Sequence, residues 1–299
     1  MKYLLAILSL LLSSATFAKA PAVFDPISME PARDLAHSAT IEELTFVSEG
    51  YKLTGLIYIA NGPGPHPTVV LLHGFPGNEK NLDIAQAARR AGFNVMFFHY
   101  RGAWGSEGDY SVLQVERDAL RALQFLREPG NASKYRVNRE KLSVLGHSLG
   151  GYVALASGSQ DKEVVCVGAM SPVNMALWQV GISSNDPELL RVVDYADTLF
   201  MLRGFNSAAL RAQMNSIDPK KMDTTLFGPN MRGKSVFMVV GDEDNVTPAD
   251  TMFSPVVEAY SQDDKIRLQS HIISGDHSYS WSRLALTRLV LDWLQQDCR

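Results

Sequence analysis

The sequence predicts an α/β fold: a mostly parallel, eight-stranded sheet with helices on both faces and a helical insertion. Three observations carry this. Short, continuously apolar runs alternate with helix-compatible stretches from residue 68 onward. Unbroken apolarity marks strands buried on both faces, as in parallel sheets. One such run, Leu142-Ser143-Val144-Leu145, leads into Gly146-His147-Ser148-Leu149-Gly150-Gly151 and then Tyr152-Val153-Ala154-Leu155-Ala156. This is the strand, sharp turn and helix that a nucleophile elbow needs. Finally, about sixty residues between Met170 and Ser235 hold no strand pattern. That is too long for a simple connection, and it reads as a helical cap spanning residues 174–233.

The elements follow in order. Residues 21–40 are mixed and read as an arm over the surface. Residues 41–60 read as two strands turned at Glu49-Gly50, with alternation in Thr54-Gly55-Leu56-Ile57-Tyr58-Ile59. Residues 61–67 are a loop by their Gly and Pro content. Residues 68–72 are a buried strand, 81–91 a helix and 93–98 a strand. Residues 112–126 carry apolar side chains at Val112, Val115, Ala119, Leu120, Leu123 and Leu126, a helical period. Strands follow at 142–145, 164–169, 235–240 and 266–273. In the insertion, residues 187–202 and 206–217 look helical. A last helix, 281–294, repeats Leu284, Leu286, Leu289, Val290, Trp293 and Leu294.

At 299 residues, with 46% hydrophobic and 20% charged residues, the chain is an ordinary globule with ample core. A net charge of −4 gives no basic footprint and argues against a nucleic-acid partner. The first residues are a separate object. Met1-Lys2 supplies a positive charge, residues 3–12 are apolar, and Ser13-Ser14-Ala15-Thr16-Phe17-Ala18 offers small residues for cleavage. This reads as a signal peptide, residues 1–18, too short to span a bilayer. The expected product is residues 19–299, secreted or periplasmic, with no stable membrane insertion. Export would permit a disulfide between the only cysteines, Cys166 and Cys298. Within Val164-Val165-Cys166-Val167, however, Cys166 reads as a small buried hydrophobe.

A serine hydroxyl needs a base to take its proton, and the base needs a carboxylate to hold its tautomer. On this strand pattern the order is Ser, then Asp or Glu, then His. The acid comes from Gly241-Asp242-Glu243-Asp244-Asn245-Val246-Thr247-Pro248. Asp244 is preferred over Asp242 because the loop must leave the strand before it can aim a carboxylate sideways. Of seven histidines, His37 and His66 read as surface, His99 ends a strand and His271 lies inside one. His147 adjoins the serine but points away from it, which reads as packing. His277 follows Ser274-Gly275-Asp276 in the last loop and alone has the right order and placement. An oxyanion needs two N–H donors. Leu149 supplies one. Phe75, in His73-Gly74-Phe75-Pro76-Gly77, supplies the other, since Pro76 has no N–H.

These stretches, with Tyr100-Arg101-Gly102-Ala103-Trp104-Gly105-Ser106-Glu107-Gly108, Thr247-Pro248 and Asp276-His277, resemble the motifs of the α/β-hydrolase family, in order. The likeness covers roughly residues 45–297. The Tyr100–Gly108 stretch is similar to one in the branch of serine peptidase-like hydrolases, dienelactone-hydrolase-like proteins and esterases. The resemblance implies Asp244 as the acid and a structural role for Arg101 and Gly102. The insertion matches no cap of the family. The expected activity is that of a serine hydrolase, cleaving an ester of a small-molecule or peptide acyl substrate through an acyl-enzyme. No cofactor or metal is implied. The alternatives are a thioesterase or an aminopeptidase or acyl-peptidase, with Asp186, Glu188, Asp194 and Asp197 available to hold a free amine. A binding protein without catalysis is a further alternative.

Overall fold

A computed structural model describes residues 24–299. The expected signal peptide lies outside them. Eight strands form one sheet: β1 (Thr40–Ser48), β2 (Tyr51–Ile59), β3 (His66–Leu72), β4 (Asn94–Phe98), β5 (Val137–His147), β6 (Cys166–Met170), β7 (Ser235–Gly241) and β8 (Arg267–Ile273). Their order is β1-β2-β4-β3-β5-β6-β7-β8. The hairpin β1–β2 and the β2–β4 pair are antiparallel and the rest parallel. The interior strands β3 to β7 are buried almost throughout because helices cover both faces.

On one face pack α2 (Val115–Arg127), α4 (Leu149–Gln160) and α8 (Ser254–Ser261). On the other pack α1 (Leu82–Arg90) and α9 (Arg283–Asp297), where Trp293 stacks on Phe237 at 5.2 Å. Helix α2 buries Val115, Ala119, Ala122, Leu123 and Leu126, close to the expected stripe. It starts three residues later than its period suggests, and the Val112 N–H donates to Gln213 Oε1 at 3.0 Å. Trp281 likewise stays outside α9 and donates to the Ser274 hydroxyl.

The chain reverses direction across the sheet beside β3. From β3 the chain goes to β4 on one side, then to β5 on the other, with Leu72 beside Gly146. Loops leaving such neighbouring strand ends diverge and leave a crevice. The loop after β3 and the turn after β5 both border this crevice and approach closely at Gly74 and Ser148.

Between β6 and β7 run α5 (Met175–Ser184), α6 (Pro187–Ala196) and α7 (Ser207–Asn215) with two 3₁₀ segments, Pro219–Lys221 and Thr224–Met231. Asn174, Asp186 and Asn206 accept N–H groups at the starts of the three helices. This region docks on the loop after β4. The Trp104 N–H donates to Met201, Arg203 to Gly102 and Tyr110 to Arg203.

Two expectations need correction. His66 is not a surface residue; it is buried at the start of β3, with Nε2 3.2 Å from the Gly62 carbonyl. Cys166 is buried as expected, yet it is also bonded to Cys298, with Cα atoms 5.8 Å apart. The bond fastens the end of α9 to the start of β6. Helices α3 (Pro129–Lys134), α5 and α8 also lie beyond the expected elements.

Candidate active site

Ser148 sits at the tip of the turn between β5 and α4, 6% exposed. Its φ of 58° and ψ of −121° lie outside the regions open to an ordinary L-residue. The surroundings hold that strain. The Ser148 N–H donates to Met170 and its carbonyl accepts from Gly151 and Val173. Gly146 is required because a Cβ there would collide with the Gly150 backbone.

The loop after β3 reaches the serine directly. A Cβ on Gly74 would lie 2.9 Å from Ser148 Cβ, so glycine permits this approach. The next residue is Phe75. Its N–H and that of Leu149, the first residue of α4, carry no hydrogen bond among the described residues. Leu149 has none because the first turn of a helix lacks internal acceptors. The loop is braced by Trp104 Nε1, which donates to the Pro76 carbonyl at 2.8 Å. Beneath it, His73 donates from Nδ1 to the Gly74 carbonyl at 2.7 Å, and burial pulls its pKa down to about 4.

Asp244 and His277 come together. The carboxylate is 4% exposed, and His277 Nδ1 lies 2.9 Å from Oδ2 and 3.0 Å from Oδ1. Asp244 also accepts from the N–H groups of Val246 and Thr247 and from the Thr247 hydroxyl at 2.7 Å. Burial alone would raise its pKa, but the imidazole and the Thr247 donors hold it at about 2. An ionised acceptor fixes the proton on Nδ1 and leaves Nε2 free to act as a base. Asp242 takes another part: it is exposed, and its Oδ1 accepts the Gly275 N–H at 3.0 Å.

The loop carrying His277 is joined to the elbow through His147, the last residue of β5 and the chain neighbour of Ser148. His147 Nε2 lies 2.7 Å from the His277 carbonyl oxygen, and the two rings are 4.8 Å apart. Sequence reasoning assigned His147 to packing and missed this bond, for which no sequence signal exists. No hydrogen bond joins the Ser148 hydroxyl to His277 among the described residues; such contacts often tighten only when substrate is present. Among the described residues, no hydrogen bond or ion pair joins His37, His99 or His271 to the Asp244–His277 pair. Arg101 is structural: its guanidinium and N–H both bond the fully buried Asp118.

Aromatic side chains gather around Phe75. The Phe75 ring lies 5.7 Å from Phe205 and 6.4 Å from Tyr195, both from the β6–β7 region. The acids of that region are largely engaged at helix ends. Asp186 caps α6, Glu188 pairs with Arg191, and Asp197 accepts the Ser207 N–H at 2.7 Å.

The model of the alpha/beta hydrolase family matches residues 69–283. The chain belongs to this family. Among its relatives, esterase EstD of Thermotoga maritima is 29% identical over 184 residues, 54% of this chain and 42% of the esterase. Lysophosphatidylserine lipase ABHD12 of Danio rerio is 32% identical over 92 residues, 30% of this chain and 22% of the lipase. The chain thus spans less than half the length of these relatives. Among solved structures, Pyrococcus furiosus esterase Pf2001 superposes with a TM-score of 0.62 at 15% identity, covering 91% of this chain and all of the esterase. The acylaminoacyl peptidase of Pyrococcus horikoshii gives 0.64 at 16% identity, covering 87% of this chain and 42% of the peptidase. At such identities the superpositions speak for the hydrolase fold.

Proposed function

We propose that this alpha/beta hydrolase is an exported serine esterase working through an acyl-enzyme. Ser148 attacks the carbonyl carbon and His277 Nε2 takes its proton. Asp244 stabilises the imidazolium, and the N–H groups of Phe75 and Leu149 hold the oxyanion. The imidazolium then protonates the leaving alkoxide, and water repeats the sequence to free the acid. The family, together with the esterase and peptidase among its likenesses, supports hydrolase activity. The observation that carries the finer reading is the bond from His277 Nδ1 to an Asp244 carboxylate held ionised, beside a strained elbow serine. The insertion acts as a cap that shapes the acyl pocket with Phe75, Tyr195 and Phe205. An ester is preferred to a peptide with a free amine because three of the four acids offered for that amine are engaged, Asp186 and Asp197 at helix ends and Glu188 with Arg191, which leaves Asp194. Residues 1–18 direct export, in keeping with the Cys166–Cys298 bond.

The test uses p-nitrophenyl esters of graded acyl length beside aminoacyl p-nitroanilides. Wild type should hydrolyse the esters and be labelled by a fluorophosphonate. Ser148→Ala should lose about three orders of magnitude or more in kcat and all labelling. Wild-type turnover by Ser148→Ala would overturn the assignment. Faster cleavage of the anilides would turn the reading to a peptidase.

A further inference from the structure

The loop that carries His277 is tied to three neighbouring strand ends. At β7, Asp242 accepts the Gly275 N–H, and the Glu243 N–H donates to the Gly275 carbonyl. The Tyr279 hydroxyl donates to the Val239 carbonyl at 3.0 Å and lies 2.9 Å from the Ser171 hydroxyl, just past β6. Toward β5, the strand that delivers Ser148, a single hydrogen bond is present among the described residues. It is the one between His147 Nε2 and the His277 carbonyl.

Resting on the reading of Ser148 and His277 as nucleophile and base, we infer that His147 is a positioning residue that sets their spacing. The bond is direct at both ends. His147 adjoins Ser148 in the chain, and the accepting carbonyl belongs to the base residue itself. No flexible side chain intervenes on the His277 side, and on the other side the imidazole is locked. It is 3% exposed, packed 4.8 Å from the His277 ring and 6.3 Å from that of Tyr279. A carbonyl can only accept, so the proton resides on Nε2 and the ring is the Nε2–H tautomer. Nδ1 is buried without a partner among the described residues, so a second proton there would be unsolvated. Burial, and then the neighbouring His277, hold the His147 pKa at about 3. The tie therefore persists as a neutral hydrogen bond across the working range of an esterase.

A residue that merely fills space would need the ring and not the donor. The two are separable. His147→Phe keeps the ring and removes the donor; His147→Gln keeps an N–H donor of similar reach and removes the ring. With p-nitrophenyl acetate, His147→Phe should lower kcat about 10- to 100-fold, the cost of misplacing a reacting group by a fraction of an ångström to one ångström. KM should stay within about twofold, because the acyl pocket is untouched. His147→Gln should recover most of the lost kcat. Wild-type kcat in His147→Phe, or a greater loss in His147→Gln, would overturn the inference. Ser148→Ala and His277→Ala run in parallel. If those two retain turnover, the assignment of nucleophile and base has failed. If they are dead and His147→Phe is unimpaired, only the positioning role has failed. Should His147→Phe not fold, the wild-type chain labelled with ¹⁵N-histidine decides. His147 should give a neutral Nε2–H signal from about pH 5 to pH 9, and an Nδ1–H signal would overturn the inference.

Discussion

The choice between Asp242 and Asp244 turns on what each carboxylate touches. Asp244 is buried, receives three donors from Val246 and Thr247, and still faces His277 Nδ1. Asp242 is exposed and, among the described residues, its carboxylate holds only the Gly275 N–H. The donors around Asp244 outweigh its burial, which alone would favour the neutral acid. In the proposed reaction, an ionised partner would stabilise the imidazolium that forms as Ser148 loses its proton. Asp244→Asn keeps the shape but presents an N–H₂ where an acceptor is needed, so the Thr247 donors and the His277 tautomer are set against one another. We expect kcat for a p-nitrophenyl ester to fall about 10³- to 10⁴-fold, as loss of the correct tautomer does elsewhere. Asp242→Ala removes one exposed brace and should stay within about tenfold of wild type. Comparable rates for the two variants, measured at saturating ester, would refute the division of labour between them.

At the scale of elements, the site exists because two loops leave neighbouring parallel strands that feed opposite sides of the sheet. The loop after β3 must pass so near the elbow that only glycine fits at position 74. Gly74→Ala should displace Phe75 from the oxyanion position. We expect about a 100-fold fall in kcat, the range for one lost donor, with a melting temperature near wild type. An unaltered rate would mean that the Phe75 N–H has no part in the reaction. The elbow and this loop were legible in the sequence because their chemistry is local: glycine spacing, the Pro76 that removes one donor, and buried strands on either side. The pairing of Asp244 with His277 was legible by chain order and loop placement. Helix α5 was not. It buries Met175, Ala176, Trp178 and Ile182 with no clear polar face, so no helical stripe marks it, and its one local signal is the cap at Asn174. The tie from His147 to His277 was not legible either, since it joins residues 130 apart through a main-chain carbonyl. The disulfide was open for the same reason: only the sheet order brings the end of α9 to β6.

Over the whole molecule, the chain buries histidines that its fold needs neutral. Burial is the main cause of pKa values of about 4 for His73 and about 3 for His99 and His147, and it moves His66 the same way. The unfolded chain returns these rings to about 6.5. Between that value and the folded ones, the unfolded state binds more protons than the folded state. Stability is then fully present above about pH 6.5 and declines as the pH falls toward 3–4. Asp244 adds to the same slope only below about pH 4, where its unfolded carboxyl becomes protonated while the folded one, at about 2, does not. At pH 5 the three strongly shifted rings should together take up about three protons on unfolding. Urea titrations at closely spaced pH values read the net proton uptake, to which these rings contribute most, as the slope of the unfolding free energy against pH. The disulfide stays intact throughout and leaves the proton count unchanged. His99→Gln removes one such ring, which stands away from the reacting groups, and should lower the slope at pH 5 by about one proton. A flat profile between pH 7 and pH 5 in the wild-type chain would mean that these imidazoles are protonated in the folded state. The neutral tie from His147 to His277 would then lose its basis along with the acid sensitivity.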